Sequence, residues 1–182
     1  MRKIDLASVQ EAGDFKRLAA GPYICRITKV EDIADKEYLK ITYDIADGEF
    51  KDYYHDMRAN HPDWLWVGAY ARSYKTTALG IFKRFCTAVS KSNGNFVFDA
   101  GKVNADEQTL VGKKIGLVFQ EEEYYGNDGN KKTRLIIFKE FAIDKLADQQ
   151  TPQPKRLKET TPASDGFKDL NVPEGTDAEV PF

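Results

Sequence analysis

The chain has few of the features that mark membrane, secreted or metal-binding proteins. Its 182 residues contain no apolar run near the roughly 20 residues that span a bilayer. The first residues, Met1–Asp5, lack the apolar stretch of a secretory signal. The two cysteines, Cys25 and Cys86, fall in apolar segments as buried thiols do, and with only two histidines they do not form the spacing of a zinc site. These absences predict a soluble, cytoplasmic protein without a metal or other cofactor.

The chain also has little excess of one sign of charge, since its net charge is only −2. Residues 147–182 hold seven acidic and four basic side chains, a charge of −3, which leaves 23 basic and 22 acidic side chains, or +1, for the rest. Any affinity for nucleic acid must therefore come from a local group of cations and not from the overall charge.

Apolar periodicity predicts a mostly β domain. Tyr38–Ala46 alternates apolar and polar residues, as a half-buried strand does, and Asp47-Gly48 predicts a hairpin turn after it. Tyr74–Ser92 carries apolar residues at helical spacing. The predicted elements, in chain order, are strands at Gly21–Val30, Tyr38–Ala46 and Glu49–Met57, the helix at Tyr74–Ser92, and strands at Val111–Glu122 and Lys131–Ile143.

This order of elements is typical of the OB-fold, a five-stranded Greek-key barrel with one helix between strands three and four. Another small α+β sheet domain stays open as an alternative. We expect a lead-in over residues 1–20, the OB-fold domain over 21–146 and a flexible acidic tail over 147–182. The tail is rich in Gln, Pro, Thr, Lys and Asp, which cannot supply a core.

Two clusters combine flat aromatic rings with cations, the groups that single-stranded nucleic acid needs for base stacking and phosphate contacts. About half of the rings in the first cluster are expected to pack in the core, and ordinary solvated turn charge is an equal alternative for the lysines of the second. The first cluster contains Tyr53, Tyr54, Arg58, Trp64, Trp66, Tyr70, Arg72, Tyr74 and Lys75. The second contains Tyr124, Tyr125, Lys131, Lys132 and Arg134.

Enzyme motifs are weak by comparison. Gly68 to Lys75 has the wrong spacing for a phosphate-binding loop, and Tyr74 stands where that loop needs a second glycine. Asp44, Glu49 and Lys51 resemble a metal-dependent nuclease pattern, but a solvated hairpin explains them better. We therefore expect no catalytic activity.

The C-terminal residues end on Phe182 after an acidic stretch: five acids against one base stand between residues 165 and 182. This ending resembles the acidic tip of bacterial and phage single-stranded DNA-binding proteins, with valine in place of isoleucine. The resemblance implies that the tip docks on replication or recombination proteins. The tip residues are Asp177, Glu179, Val180, Pro181 and Phe182.

Longer blocks resemble a family of phage and prophage proteins from Gram-positive hosts. They are residues 21–27, 37–50, 72–75, and 126–129 ahead of 132–134, within a region of similarity that covers most of residues 15–145. The resemblance implies an OB-fold protein that binds single-stranded DNA in the cytoplasm of a bacterial host, during phage replication and recombination. The rival prediction is a phage protein-interaction module that binds host replication proteins through its tail without binding DNA. Self-association is compatible with either reading.

Overall fold

The computed structural model describes residues 16–64, 67–101 and 106–157. Within these ranges lie five strands and two α-helices, joined by short 3₁₀ turns. The strands are β1 Gly21–Ile33, β2 Tyr38–Ile45, β3 Ala69–Ser73, β4 Lys114–Tyr125 and β5 Lys131–Phe141. The helices are α1 Tyr53–Asn60, between β2 and β3, and α2 Leu79–Ser92, between β3 and β4.

All five strands form one antiparallel sheet in the order β3-β2-β1-β4-β5. The central strand, β1, pairs over its second half with β2 and over its first half with β4. A mostly β fold with five strands and a helix after the third strand is thereby confirmed.

The core follows from the alternation of side chains along the strands. In β2, Leu39, Ile41, Tyr43 and Ile45 are all at most 5% exposed. An irregularity in β1 after Ile27 shifts its register by one residue. Because a bulge inserts one extra residue, the inward positions change from odd to even numbers there. Buried core residues of the other elements include Cys25, Ile27 and Val30 of β1, Tyr54 of α1, Phe82, Phe85, Ala88 and Val89 of α2, and Ile115, Leu117 and Phe119 of β4.

The predicted third strand, at Glu49–Met57, is wrong. This segment turns at Gly48 and then forms α1, and the third strand is Ala69–Ser73, which pairs with β2. The apolar residues of 50–57 are Phe50, Tyr53, Tyr54 and Met57, which have the i, i+3, i+4, i+7 spacing of one helix face and do not alternate. The strand prediction depended on the turn at Asp47-Gly48 and not on periodicity. The five residues of β3 carry no long apolar pattern. The domain therefore has a second helix in addition to the predicted one, which itself begins at Leu79 and not at Tyr74.

Side chains link the two outermost strands of the sheet. Arg72 of β3 donates a hydrogen bond to Glu140 of β5, whose side chain is buried. Arg84 of α2 also approaches this carboxylate, with its Nη2 atom 3.6 Å from Oε2. Two cations thus balance the charge of one buried acid, and the sheet is curled enough for its first and last strands to meet through side chains. Among the described residues no helix is both long and apolar enough to cross a lipid bilayer.

Candidate nucleic-acid interface

A buried carboxylate fixes α1 on the sheet. The Oδ1 atom of Asp44, at 1% exposure, accepts a hydrogen bond of 2.9 Å from the backbone N–H of Tyr54. Its Oδ2 atom accepts one of 3.1 Å from Arg58. Arg58 also donates to the carbonyl of Val67, 3.2 Å away. Asp44 therefore holds both the first turn of α1 and the chain that leads into β3.

The approach of β3 to α1 leaves room only for glycine at position 68. Gly68 has a φ of +61°, and a Cβ atom built there would lie 2.7 Å from the Cβ of Tyr54. Both the left-handed backbone and the contact exclude a larger residue. This close packing sets the position of α1 relative to the sheet.

A groove of about 780 Å³ lies between α1 and the hairpin of β4 and β5. It brings together residues from both of the clusters that the sequence predicts, although about 70 residues of chain separate them. Its lining residues are Arg17, Tyr53, Met57, Asn60, His61, Trp64, Tyr124, Thr133 and Arg134.

Two flat pairs stand in this groove. The rings of His61 and Trp64 are stacked, with centroids 3.9 Å apart and planes 8° from parallel. Trp64 is 48% exposed, so much of the indole is open to solvent. On the hairpin side, the guanidinium carbon of Arg134 lies 4.9 Å from the ring centroid of Tyr124. Tyr124 and Arg134 are each partly exposed. Flat groups that solvent can reach can stack on nucleobases.

A third ring, that of Tyr53, joins the groove to the lead-in segment. It packs edge-on against Phe50 and Tyr54, and its hydroxyl accepts a 3.4 Å hydrogen bond from the backbone N–H of Leu18. Leu18 is buried in the core. This attachment brings the neighbouring Arg17 to the rim of the groove.

Acidic partners accompany the cations of the hairpin. Lys131 lies 2.9 Å from a carboxylate oxygen of Glu123, and Lys132 lies 2.9 Å from one of Asp128. Arg134 forms a 2.8 Å ion pair with Glu122. A phosphate would therefore have to compete with a carboxylate at each of these cations, and the hairpin attracts anions less than its sequence suggests.

Several residues of the first predicted cluster lie away from the groove. Tyr54 is buried in the core, and the hydroxyl of Tyr70 is buried while its ring packs edge-on against Tyr43. Arg72 binds the buried Glu140.

The two remaining members of that cluster with described positions lie near the start of α2. The Tyr74 hydroxyl donates a 2.7 Å hydrogen bond to Asp32. Burial, together with this carboxylate, raises the pKa of Tyr74 to about 12. Lys75 is exposed, just before the 3₁₀ turn at Thr76–Ala78. Trp66 and the five tip residues, Asp177 and Glu179–Phe182, lie outside the described residues.

Five lining residues of the groove were not predicted from the sequence: Arg17, Met57, Asn60, His61 and Thr133. A signal was present for those in α1 and at its end, because residues 53, 57, 60 and 61 have the i, i+4, i+7, i+8 spacing of one helix face. The strand assignment for this segment concealed it. In the described part of the chain no three His, Cys, Asp or Glu side chains come together as a metal site.

The chain matches no known protein-family model, and a search of curated proteins finds no match to it. The groove and its side chains therefore carry the functional argument on their own.

Proposed function

We propose that this chain is a single-stranded DNA-binding protein that holds the strand in the groove between α1 and the β4–β5 hairpin. The observation that carries the proposal is the convergence of flat groups from both sides on one groove, exposed on the α1 side and partly exposed on the hairpin side. The His61–Trp64 stack lies on one side, and Tyr124 with Arg134 lies on the other. Base stacking contributes about 1–3 kcal/mol per base and is tolerant of sequence.

The strand order supports an OB-fold for this domain. Reading the sheet from β4 gives 4-1-2-3, which is the spatial order of a Greek key. In the proposed barrel, β3 and β5 would face each other across the remaining opening, and the hydrogen bond from Arg72 to Glu140 crosses between these strands. OB-folds bind oligonucleotides with a strand face and the loops that flank it.

We further propose that the tip residues, Asp177 to Phe182, dock on replication or recombination proteins while the groove holds DNA. An apolar end with acids beside it suits a basic-rimmed pocket on a partner. The proposed role is binding, without catalysis.

One observation favours the rival function, a protein-interaction module that does not bind DNA. The hairpin cations carry acidic partners, and residues 1–146 have a formal charge of only +1. Such a surface has little long-range attraction for a polyanion.

Titration of fluorescently labelled oligo-dT, followed by anisotropy, separates these functions. The proposal expects saturable binding that a duplex of equal length does not compete away. With two to four phosphate contacts, log K should fall with log salt at a slope of about −1.4 to −2.8. Absence of binding at low salt would leave the interaction module as the better reading. Shortening of the oligonucleotide when magnesium is added would reveal a nuclease.

Trp64, one of the two tryptophans of the chain, lines the groove. Its emission is therefore sensitive to a ligand in the groove, and we expect oligo-dT to quench part of the tryptophan emission. The docking role is tested separately, by removing residues 179–182. The shortened chain should bind oligo-dT at least as well as the full chain but lose the partners that the full chain captures.

A further inference from the structure

The segment that follows the sheet is a short strap along β4. Phe119 is the last residue of β4 that pairs with β1, so beyond it one edge of β4 is open to another partner. Residues 153–157, here named the strap, occupy it in parallel orientation. The backbone N–H of Lys155 donates to the carbonyl of Glu121 at 2.8 Å, and the N–H of Glu123 donates to the carbonyl of Lys155 at 2.9 Å. The strap falls in the segment whose composition predicts a tail.

Side chains add to this pairing at both ends of the strap. The Nε2 atom of Gln120 donates to the carbonyl of Gln153 at 2.7 Å. The backbone N–H of Leu157 donates to the carboxylate of Glu123 at 3.1 Å. The strap is thus bound to β4 along its whole length, immediately beside the hairpin that forms one side of the groove.

One carboxylate connects the strap to the groove. Glu122 is 8% exposed, and each of its oxygens has its own cation. Lys155 of the strap lies 2.6 Å from Oε1, while the Nε and Nη2 atoms of Arg134 each lie 2.8 Å from Oε2. Burial opposes ionisation of Glu122, but these hydrogen bonds prevail and lower its pKa. The carboxylate is therefore charged near neutral pH and shared between a strap residue and a groove residue.

Lys155 changes the net charge of the ion-pair cluster to which the groove residue Arg134 belongs. Glu122, Arg134 and Lys155 together carry +1, whereas Glu122 and Arg134 alone sum to zero. Without Lys155, Arg134 alone would balance Glu122, and a phosphate that approaches Arg134 would meet an ion pair with no net positive charge. A phosphate and the Glu122 carboxylate bound to the same guanidinium would both be negative and would repel each other appreciably in a partly buried setting. Lys155 does not line the groove, and its contact with Glu122 connects it to Arg134, which does.

We propose that Lys155 and Glu122 are positioning residues for the groove, and that seating of the strap and occupancy of the groove by nucleic acid favour each other. Lys155 compensates Glu122, which keeps Arg134 against Tyr124 and available to a phosphate. Because such coupling is reciprocal, nucleic acid in the groove must hold the strap on β4 by the same factor. This inference rests on the proposed function of the groove.

Substitutions in the full-length chain separate this coupling from a general effect of charge. Lys155→Gln should weaken oligo-dT binding about five- to tenfold, within the usual range of coupling between sites. Lys155→Arg should restore it. The matched control is Arg156→Gln, which removes an equal charge from the next strap residue without touching Glu122, and it should change the affinity less than twofold.

The single variant Glu122→Gln and the double variant Lys155→Gln/Glu122→Gln complete a double-mutant cycle. Once Glu122 is neutral, Lys155 has no charge to compensate, so the double variant should bind several-fold better than Lys155→Gln alone. Thermal unfolding of each variant checks that the fold is kept.

Hydrogen exchange supplies a readout that a purely structural role would not move. Saturating oligo-dT should slow exchange of the Glu123 and Lys155 amides in the wild-type chain, and should slow it less in Lys155→Gln. Equal weakening by Lys155→Gln and Arg156→Gln, or strap exchange that ignores the oligonucleotide, would overturn the coupling alone. If the wild-type chain does not bind oligo-dT, the proposed function and this inference both fail.

Discussion

Replacing Trp64 with alanine should weaken oligo-dT binding by about 5- to 140-fold. The indole is half exposed, and the His61 ring covers one part of it, so a base can stack on what remains open. Loss of one stacked base costs about 1–3 kcal/mol. Since 1.4 kcal/mol corresponds to a factor of ten, the expected range of affinity follows directly.

The same substitution should have little effect on folding. Removing a fully buried tryptophan costs about 3–5 kcal/mol through lost packing and the cavity that remains. Trp64 is 48% exposed and is absent from the buried core, so its loss should cost much less. Urea unfolding, measured beside the titration, keeps the two effects apart.

Phe138→Ala is the matched control for this measurement. Phe138 is 52% exposed, close to the value for Trp64, but it does not line the groove. Its loss should leave the anisotropy titration unchanged. Wild-type affinity in a folded Trp64→Ala chain would refute stacking at this position. An equal loss in both variants would show that exposed aromatic area, and not the groove, determines binding.

Three further substitutions or reactions test the fold that supports the groove. Arg58→Ala should lower the free energy of unfolding by about 1.5–3 kcal/mol in urea, because a buried carboxylate loses a charged hydrogen-bond partner, and normal stability would contradict that role. Gly68→Ala should lower the free energy of unfolding by more than about 2 kcal/mol, because it adds both backbone strain and overpacking. Gly94→Ala, with a φ of +64° but no atom within 4 Å of its new Cβ, should add only the strain. Equal losses of stability in the two variants would argue against the close contact at position 68. Burial raises the pKa of the Cys86 thiol to about 11 and that of the Cys25 thiol well above its usual value. At pH 8 both thiols should therefore react with Ellman's reagent much more slowly in the native chain than in urea. Rapid labelling of the native chain would show that the thiols are accessible.

The strands and the helix that were predicted correctly are those with long, regular apolar periodicity. Tyr38–Ala46 alternates cleanly, and its inward residues are the buried ones in β2. The segment at Glu49–Met57 was predicted as a strand because it follows the turn pair Asp47-Gly48, although its apolar residues have the spacing of a helix face. Asp44 fixes this helix on the sheet by binding its first turn from the neighbouring strand. A contact between residues ten positions apart, across a turn, is not visible in local periodicity.

The candidate site was likewise predicted only in part from the sequence. Composition located both clusters of aromatic and basic residues, because large rings in irregular segments and lysines beside a turn are visible in the sequence. It did not separate Trp64, which is half exposed in the groove, from Tyr54, which is buried nearby. Nor did it show that the hairpin cations carry acidic partners, because those ion pairs depend on strand register and side-chain direction.

The sequence alone determined that the chain has a mostly β domain, because alternation and turn residues act over a few positions and need no tertiary contact. It also determined the near-neutral charge outside residues 147–182, which is a matter of counting. Only the tertiary structure decided which rings face a common groove and that residues 153–157 lie along β4. Those outcomes depend on how the sheet curls and on contacts between residues far apart in the chain, and local patterns do not encode them.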